Sequence, residues 1–82
     1  MKSVAGENSD LFIMGVKIHI QTEDWGAKDQ SLVSRIFKSG AVVKTFKLSY
    51  EKIPNSVKAE SRREALLQFH QWVIENAAQE IK

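Results

Sequence analysis

The segment SLVSRIFKSGAVVKTFKLSY, residues 31–50, constrains the fold more than any other part of the chain. Two runs rich in β-branched and aromatic residues flank Ser39-Gly40, which is the pattern of a β-hairpin. A two-residue turn at Ser39-Gly40 would place Arg35 directly opposite Lys44, and like charges that face each other across two strands are destabilising. A three-residue turn over 38–40, with Gly40 in the left-handed conformation, avoids that pairing, so we predict the three-residue turn.

This turn decides which side chains share a face of the hairpin, because side chains alternate along a strand. The predicted pairs are Leu32 with Phe46, Ser34 with Lys44, and Ile36 with Val42. The inner face then carries Leu32, Ile36, Val42, Phe46, Leu48 and Tyr50. The outer face carries Val33, Arg35, Phe37, Val43, Thr45 and Lys47.

Another strand precedes the hairpin. Residues 15–22, GVKIHIQT, alternate between apolar and polar side chains, which is typical of a half-buried strand. The apolar residues LFIM just before it predict that the strand starts earlier, with a bulge or close packing at Gly15. Its polar side chains, Lys17, His19 and Gln21, extend the outer face of the hairpin.

A helix follows the hairpin. Pro54 has no N–H to give to a sheet and ends the last strand. Two helix starts compete after it: a cap at Asn55 or Ser56, and the capping box SRRE that begins at Ser61. From either start, the helix runs to about Ala78 or beyond.

The fold class is therefore α+β. We predict a three-stranded antiparallel β-meander (β-β-β-α) with a C-terminal amphipathic helix packed on one face. Residues 1–10 form a flexible polar lead, and residues 11–82 form a single domain.

Helical spacing places Leu66, Phe69, Val73 and Ala77 on one ridge, and Leu67, Ile74, Ala78 and Ile81 on a second ridge beside it. The helix is therefore apolar over more than half of its circumference, whereas a helix on one small sheet needs a stripe of roughly 100°. The extra width indicates a second partner. Either the helix packs on a second copy of the chain, which we favour because C₂ dimers are the commonest closed assembly, or residues 11–13 fold over it. The candidate interface residues, on the helix, the first loop and the outer face, are Trp25, Phe37, Val43, Leu67, Trp72, Ile74 and Ile81.

The sequence contains few of the residues and motifs that form known catalytic and metal sites. The chain has no cysteine, and its four glycines are scattered singly, so neither a thiolate site nor a Gly-rich phosphate loop is present. His19 and His70 have no metal-ligand spacing, and we interpret His70 as a core or interface histidine with a satisfied ring. We predict a non-enzymatic protein without a metal or other cofactor.

Charge is unevenly distributed. Residues 30–63 carry eight bases and two acids, while the segments on either side are net acidic. A basic middle segment is a pointer to an anionic partner, and it supports an alternative function, nucleic-acid binding by the outer face and the helix N-terminus. The candidate residues for that contact are Lys17, Arg35, Lys44, Lys47, Arg62 and Arg63.

Three short motifs carry a resemblance. HIQTEDWG, then the Phe37-to-Gly40 turn of the hairpin, then LLQFHQWVIE are similar to a small domain of uncharacterised bacterial proteins, over about residues 19–75. In that domain a QTED-G element precedes a hairpin with an F-x-x-G turn, and a helix with a Q-H element closes the unit. The resemblance implies a bacterial origin and an intact domain, and it brings no activity with it.

The favoured function is a small cytoplasmic interaction module that is homodimeric and binds itself or another protein. No segment approaches the ~18 uninterrupted apolar residues of a membrane span, and residues 1–10 lack the apolar core of a secretory signal. We therefore expect a cytoplasmic location and no membrane partner.

Overall fold

The computed structural model describes residues 6–26, 29–52 and 59–81. The fold is α+β, a four-stranded antiparallel sheet with one C-terminal helix. The elements are β1 (Glu7–Ile13), β2 (Val16–Asp24), β3 (Ser31–Lys38), β4 (Ala41–Ser49), a 3₁₀ turn (Tyr50–Lys52) and α1 (Ala59–Ile81). The strands lie in chain order across the sheet, so that β1 and β4 are its two edges.

The sheet has one strand more than the sequence predicted. The predicted first strand is two strands, because residues 14 and 15 form a tight turn instead of a bulge. β1 begins at Glu7, inside the segment 1–10 that was predicted to be a flexible lead. Its polar residues are stable in a strand because they find partners: Ser9 bonds to His70, and Asp10 bonds to His19.

Both hairpin turns contain two residues. Met14 and Gly15 have φ angles of 53° and 82°, and Ser39 and Gly40 have φ angles of 54° and 82°. Positive φ at both central residues defines the type I′ turn, whose twist matches that of the flanking strands. The predicted three-residue turn over 38–40 is therefore wrong.

A β-bulge resolves the charge conflict that had argued against the two-residue turn. The register shifts between Ile36 and Phe37, so that Phe37 pairs with Val42 and Ile36 pairs with Lys44, leaving Val43 as the extra residue. Arg35 consequently faces Thr45 instead of Lys44. The predicted pairs are wrong by two residues, because Leu32 pairs with Leu48, Ser34 with Phe46 and Ile36 with Lys44. Val42 lies opposite Phe37 on the outer face, where it is exposed.

The helix covers the inner face of the sheet. Leu66, Val73 and Ala77 are fully buried on the side facing the strands, as their spacing predicted. Ile74, Leu11 and Ile13 are partly buried against the same core cluster, and α1 contacts β1, so the residues before Met14 do cover part of the helix. Leu67 and Trp72 remain exposed, on either side of the buried ridge.

The helix begins at Ala59, between the two starts that the sequence allowed. Ser61 of the capping box lies inside the first turn, and Asn55, Ser56 and the side chain of Ile81 lie outside the described residues. Within the described part of the chain, no helix has the length and apolar character needed to cross a bilayer.

The observed register makes a prediction about Thr45. A Glu at this position would face Arg35, whereas a Lys would repel it, so Thr45→Glu should be more stable than Thr45→Lys by roughly 0.5–1 kcal/mol. Urea unfolding of both variants measures the difference. The same two substitutions at Val43, which has no directly opposite residue, are the control; a larger difference at Val43 than at Thr45 would restore the three-residue turn.

Candidate functional site

The motif QTEDWG at the end of β2 has two sides. Side chains alternate along the strand, so Thr22 and Asp24 continue the buried row of Ile18 and Ile20. The residues between them, Gln21 and Glu23, face outward. The motif therefore supplies polar groups both to the core beneath the helix and to the outer face of the sheet.

His70 is the centre of the inner polar network. Its Nδ1 lies 2.6 Å from the hydroxyl of Thr22, and its Nε2 lies 2.8 Å from the hydroxyl of Ser9. Thr22 in turn lies 2.8 Å from the hydroxyl of Ser34. The network joins the helix to three strands, and it confirms the prediction that His70 is a buried histidine whose ring nitrogens are satisfied.

Most of the network is buried, and Ser9 is its partly exposed member. His70 is 4% exposed, and Thr22 and Ser34 are 0% exposed, so no substrate reaches the ring in this conformation. Burial lowers the pKa of His70 below its usual value; the nearby Glu7 carboxylate opposes this shift and His19 adds to it. The imidazole is therefore held neutral, as expected of a structural group that accepts one hydrogen bond and donates the other.

Asp24 is the centre of a second polar cluster, near the N-terminal end of the helix. Its Oδ1 accepts hydrogen bonds from the hydroxyl of Tyr50 and, at 2.9 Å, from the backbone N–H of Gly26. Arg62 completes the cluster: its Nε lies 3.7 Å from Asp24 Oδ2, and its guanidinium lies 5.5 Å from the centre of the Tyr50 ring. Burial, reinforced by the bond to Asp24, raises the pKa of Tyr50 to about 12. A side chain at position 26 would overlap the Tyr50 hydroxyl, which explains the glycine of the motif.

Glu23 is the centre of a polar cluster on the outer face of the sheet. It accepts hydrogen bonds from Trp25 Nε1 at 2.9 Å, from Gln21 Nε2 at 2.5 Å and from Arg35 at 3.2 Å. The bond from Trp25, helped by those from Gln21 and Arg35, lowers the pKa of Glu23. The guanidinium of Arg35 lies between two rings, 5.7 Å from the centre of Trp25 and 5.9 Å from that of Phe37. Trp25 is thus tied to the outer face by its contacts with Glu23 and Arg35.

The candidate interface residues do not form one surface. Trp25 and Phe37 lie on the outer face, Val43 lies at the bulge, and Trp72 lies at the flank of the helix next to β4. Leu67 is exposed away from that flank, and Ile74 packs into the core with β1.

The basic residues that were candidates for nucleic-acid contact have acidic neighbours. Five of them form ion pairs within 4 Å: Arg35 with Glu23, Lys44 with Glu80, Lys47 with Asp29, Arg62 with Asp24, and Arg63 with Glu7. Lys17 lies near Asp10, whose pKa is lowered first by its hydrogen bond to His19 and further by Lys17. The six residues are also divided between the two faces of the molecule. They do not make a continuous positive surface.

The edge strand β4 is largely exposed. Residues 41–45 and Lys47 are exposed, and the strand contains two lysines, no acidic residue and four β-branched or aromatic residues among its nine. The opposite edge, β1, starts with the charged and polar run ENSD. Each edge strand carries two charged residues, so charge does not distinguish them. β4 is the longer edge, with nine residues against seven, and it is therefore the better candidate to pair with another chain.

An apolar groove runs beside β4. It has a volume of about 370 Å³ and is lined by Phe46, Lys47, Leu48, Phe69 and Trp72. Trp72 forms its wall, with its ring edge-on to Phe46 at 5.3 Å and stacked on Phe69 at 6.5 Å, yet it is 47% exposed. Edge and groove together form the candidate site, which we call the β4 surface.

Comparison of the chain with protein-family models, with curated proteins and with solved structures found no match in any of the three. The functional interpretation therefore depends on the residues and geometry of the chain itself.

Sequence reasoning missed the partners Ser9, Glu23, Asp24 and Tyr50. The burial of two polar residues could have been predicted from the sequence. Thr22 and Asp24 lie two and four positions after Ile20, so they share its face of the strand, as Ile18 does. Polar residues that continue a buried row require partners, and a buried histidine on the covering helix is one of the few groups able to supply them.

The inner network makes a prediction about Thr22. Thr22→Val keeps the shape of the side chain but removes the hydroxyl between His70 and Ser34, so the free energy of unfolding should fall by roughly 1–3 kcal/mol. Thr45→Val, at an exposed position of β4, is the matched control and should change stability little. A Thr22→Val protein as stable as the wild type would mean that the network does not hold the helix.

The pKa of His70 predicts a pH dependence. The unfolded chain takes up a proton near the ordinary pKa of histidine, whereas the folded chain resists it because His70 is buried neutral. The stability contributed by neutral His70 is present above pH ~6.5 and is lost as the pH falls toward the lowered folded pKa. Thermal unfolding of wild type and His70→Gln between neutral and mildly acidic pH should show a shallower loss in the variant. Parallel curves would contradict this account.

Proposed function

We propose that the protein is a non-enzymatic interaction module that works as a homodimer, with the β4 surface as its contact. The observation that carries the proposal is an unpaired, exposed, nine-residue edge strand lying beside a groove lined by Phe46, Leu48, Phe69 and Trp72. Addition of a strand to such an edge supplies main-chain hydrogen bonds, and the groove supplies apolar contact.

The charges of β4 suit pairing with a second copy. In an antiparallel pair that keeps both helices on the same side of the sheet, pairing centred on Thr45 places Lys44 opposite Phe46 of the second copy. The same register places Lys47 opposite Val43. No lysine then faces another lysine, so the repulsion that would oppose self-pairing is avoided.

The groove offers a second copy an apolar surface that both copies can bury on association. Tryptophan and phenylalanine dominate the energetics of protein interfaces, and Trp72 is already ordered by its contacts with Phe46 and Phe69. A chain of 82 residues also has a small core, and association is a common way for such domains to gain buried area.

Binding is supported over catalysis and over nucleic-acid recognition. The buried Ser9–His70–Thr22 network has the distances of a nucleophile and base, but its ring is sealed beneath the helix. The bases that would contact phosphates are engaged by carboxylates.

The absence of cysteine supports a reducing compartment, and we assign the protein to the cytoplasm of a bacterium.

The proposal predicts a dimer that depends on Trp72. Light-scattering mass over a wide concentration range should show a dimer for the wild type and a monomer for Trp72→Glu. Leu67→Glu is the matched control, since Leu67 is an exposed apolar residue of the same helix that does not line the groove, and it should remain dimeric.

Circular dichroism of each variant separates loss of association from loss of fold. A wild-type monomer at every concentration would overturn the proposal. A dimer that survives Trp72→Glu but is lost in Leu67→Glu would move the contact to the other side of the helix.

A further inference from the structure

The two type I′ turns lie side by side at one end of the sheet. Ile13 pairs with Val16 across the first turn, Lys38 pairs with Ala41 across the second, and Ile18 pairs with Lys38 between them. Residues 12–17 and 37–44 form this end, which we call the sheet tip. A hollow of about 460 Å³ separates the two turns, lined by Val16, Lys17, His19, Phe37, Ser39 and Gly40.

The first turn of the tip holds an unusual residue. Met14 has a φ of 53°, a left-handed conformation that Asn, Asp and Gly adopt readily and that strains a long side chain. Its side chain is 88% exposed, so contacts within the protein do little to compensate for the strain. A strained residue with an exposed apolar side chain points to an interaction outside the chain.

Other exposed apolar side chains lie at the same end of the sheet as Met14. Phe12 is 73% exposed, and Val42 and Val43 of the neighbouring turn are also exposed. Four of the six exposed large apolar side chains in the described part of the chain therefore lie at the tip. Single exposed apolar residues are ordinary, whereas such a concentration marks an interaction site.

The charge of the tip is entirely positive. Residues 12–17 and 37–44 contain Lys17, Lys38 and Lys44 and no acidic residue. The nearest carboxylates lie outside these segments, where Asp10 bonds to His19 and Glu80 lies 3.8 Å from Lys44. Lys44 is engaged by Glu80, so Lys17 and Lys38 are the bases that the tip presents beside its exposed apolar side chains. Apolar side chains beside lysines are complementary to a layer of anionic headgroups above an apolar interior.

We propose that the sheet tip docks on the surface of a membrane that contains anionic lipid, with Met14 and Phe12 entering the headgroup region and the lysines remaining among the headgroups. The dimensions of the molecule favour this occupant over a protein. The molecule measures 40 × 19 × 17 Å with the strands along its length, so its end is far smaller than the roughly 800 Å² that a stable protein interface covers on each partner. Lysine is also depleted from the centres of protein interfaces, whereas it strengthens binding to anionic bilayers.

Co-sedimentation of the full chain with vesicles tests the proposal. Vesicles of phosphatidylcholine and phosphatidylglycerol in a two-to-one ratio should bind the protein at low salt, and vesicles of phosphatidylcholine alone should not. Met14→Asn should weaken binding to the mixed vesicles by roughly tenfold. Asn is favoured at this left-handed position, so the variant should fold at least as stably as the wild type, and its thermal midpoint checks this.

Two further variants sharpen the result. Lys17→Gln should weaken binding about fivefold, since it removes one charge near the headgroups. Leu67→Asn removes an exposed apolar side chain away from the tip and should bind like the wild type. Failure to sediment with mixed vesicles, equal binding to phosphatidylcholine alone, or wild-type binding by Met14→Asn would each overturn the proposal.

Discussion

The hydrogen bonds of His70 hold the helix in one register over the sheet, and the arrangement of the other surfaces depends on that register. Apolar contacts alone are not directional, and a helix with so broad an apolar face has several ways to lie on four strands. The bonds of His70 to Thr22 and Ser9 select one of them, because any shift would leave buried polar groups without partners. Near the N-terminal end of the helix, Arg62 forms an ion pair with Asp24, with Nε and Oδ2 3.7 Å apart.

This register divides the surface into parts with different character. It brings Trp72 beside Phe46 and so creates the groove along β4, while it places Ile74, partly buried, against the core cluster. On the outer face, Arg35 and Trp25 both donate hydrogen bonds to Glu23 and are therefore engaged within the chain. The surfaces that we propose for other molecules are the β4 surface and the sheet tip, which share residues 41–44. We propose a second copy for the first and a lipid surface for the second, contacted mainly through the Met14 turn.

Periodicity gave the correct elements wherever one face of a strand or helix is buried. The alternation around Ile18 and Ile20 and the helical ridge from Leu66 to Ala77 are both present as predicted. The strand β1 was missed because its first residues are polar, and they are stable only through partners far along the chain, such as His70. The hairpin register was wrong for a related reason: a bulge at Val43 separates Arg35 from Lys44, and local pair rules do not foresee it.

The candidate site was predictable only in part. Trp72 was identified from the width of the apolar helix, whereas the groove needs the position of Phe46 beneath it. Charge counts suggested a basic outer face, yet Glu23 and Asp10 come from strands whose pairing the sequence did not reveal. Whether a basic side chain is available to a ligand depends on which side chains lie next to it on the neighbouring strand, more than on the number of bases in the sequence.

The central claim is that β4 is an edge only in the isolated chain and is paired in the working protein. Hydrogen exchange followed by NMR tests this directly, because it reports on each backbone N–H of β4. The account predicts that the outward-facing N–H groups of residues 41–49 exchange slowly at high protein concentration and quickly on dilution, while those bonded to β3 stay protected throughout. Fast exchange of the outward-facing groups at every concentration would contradict it.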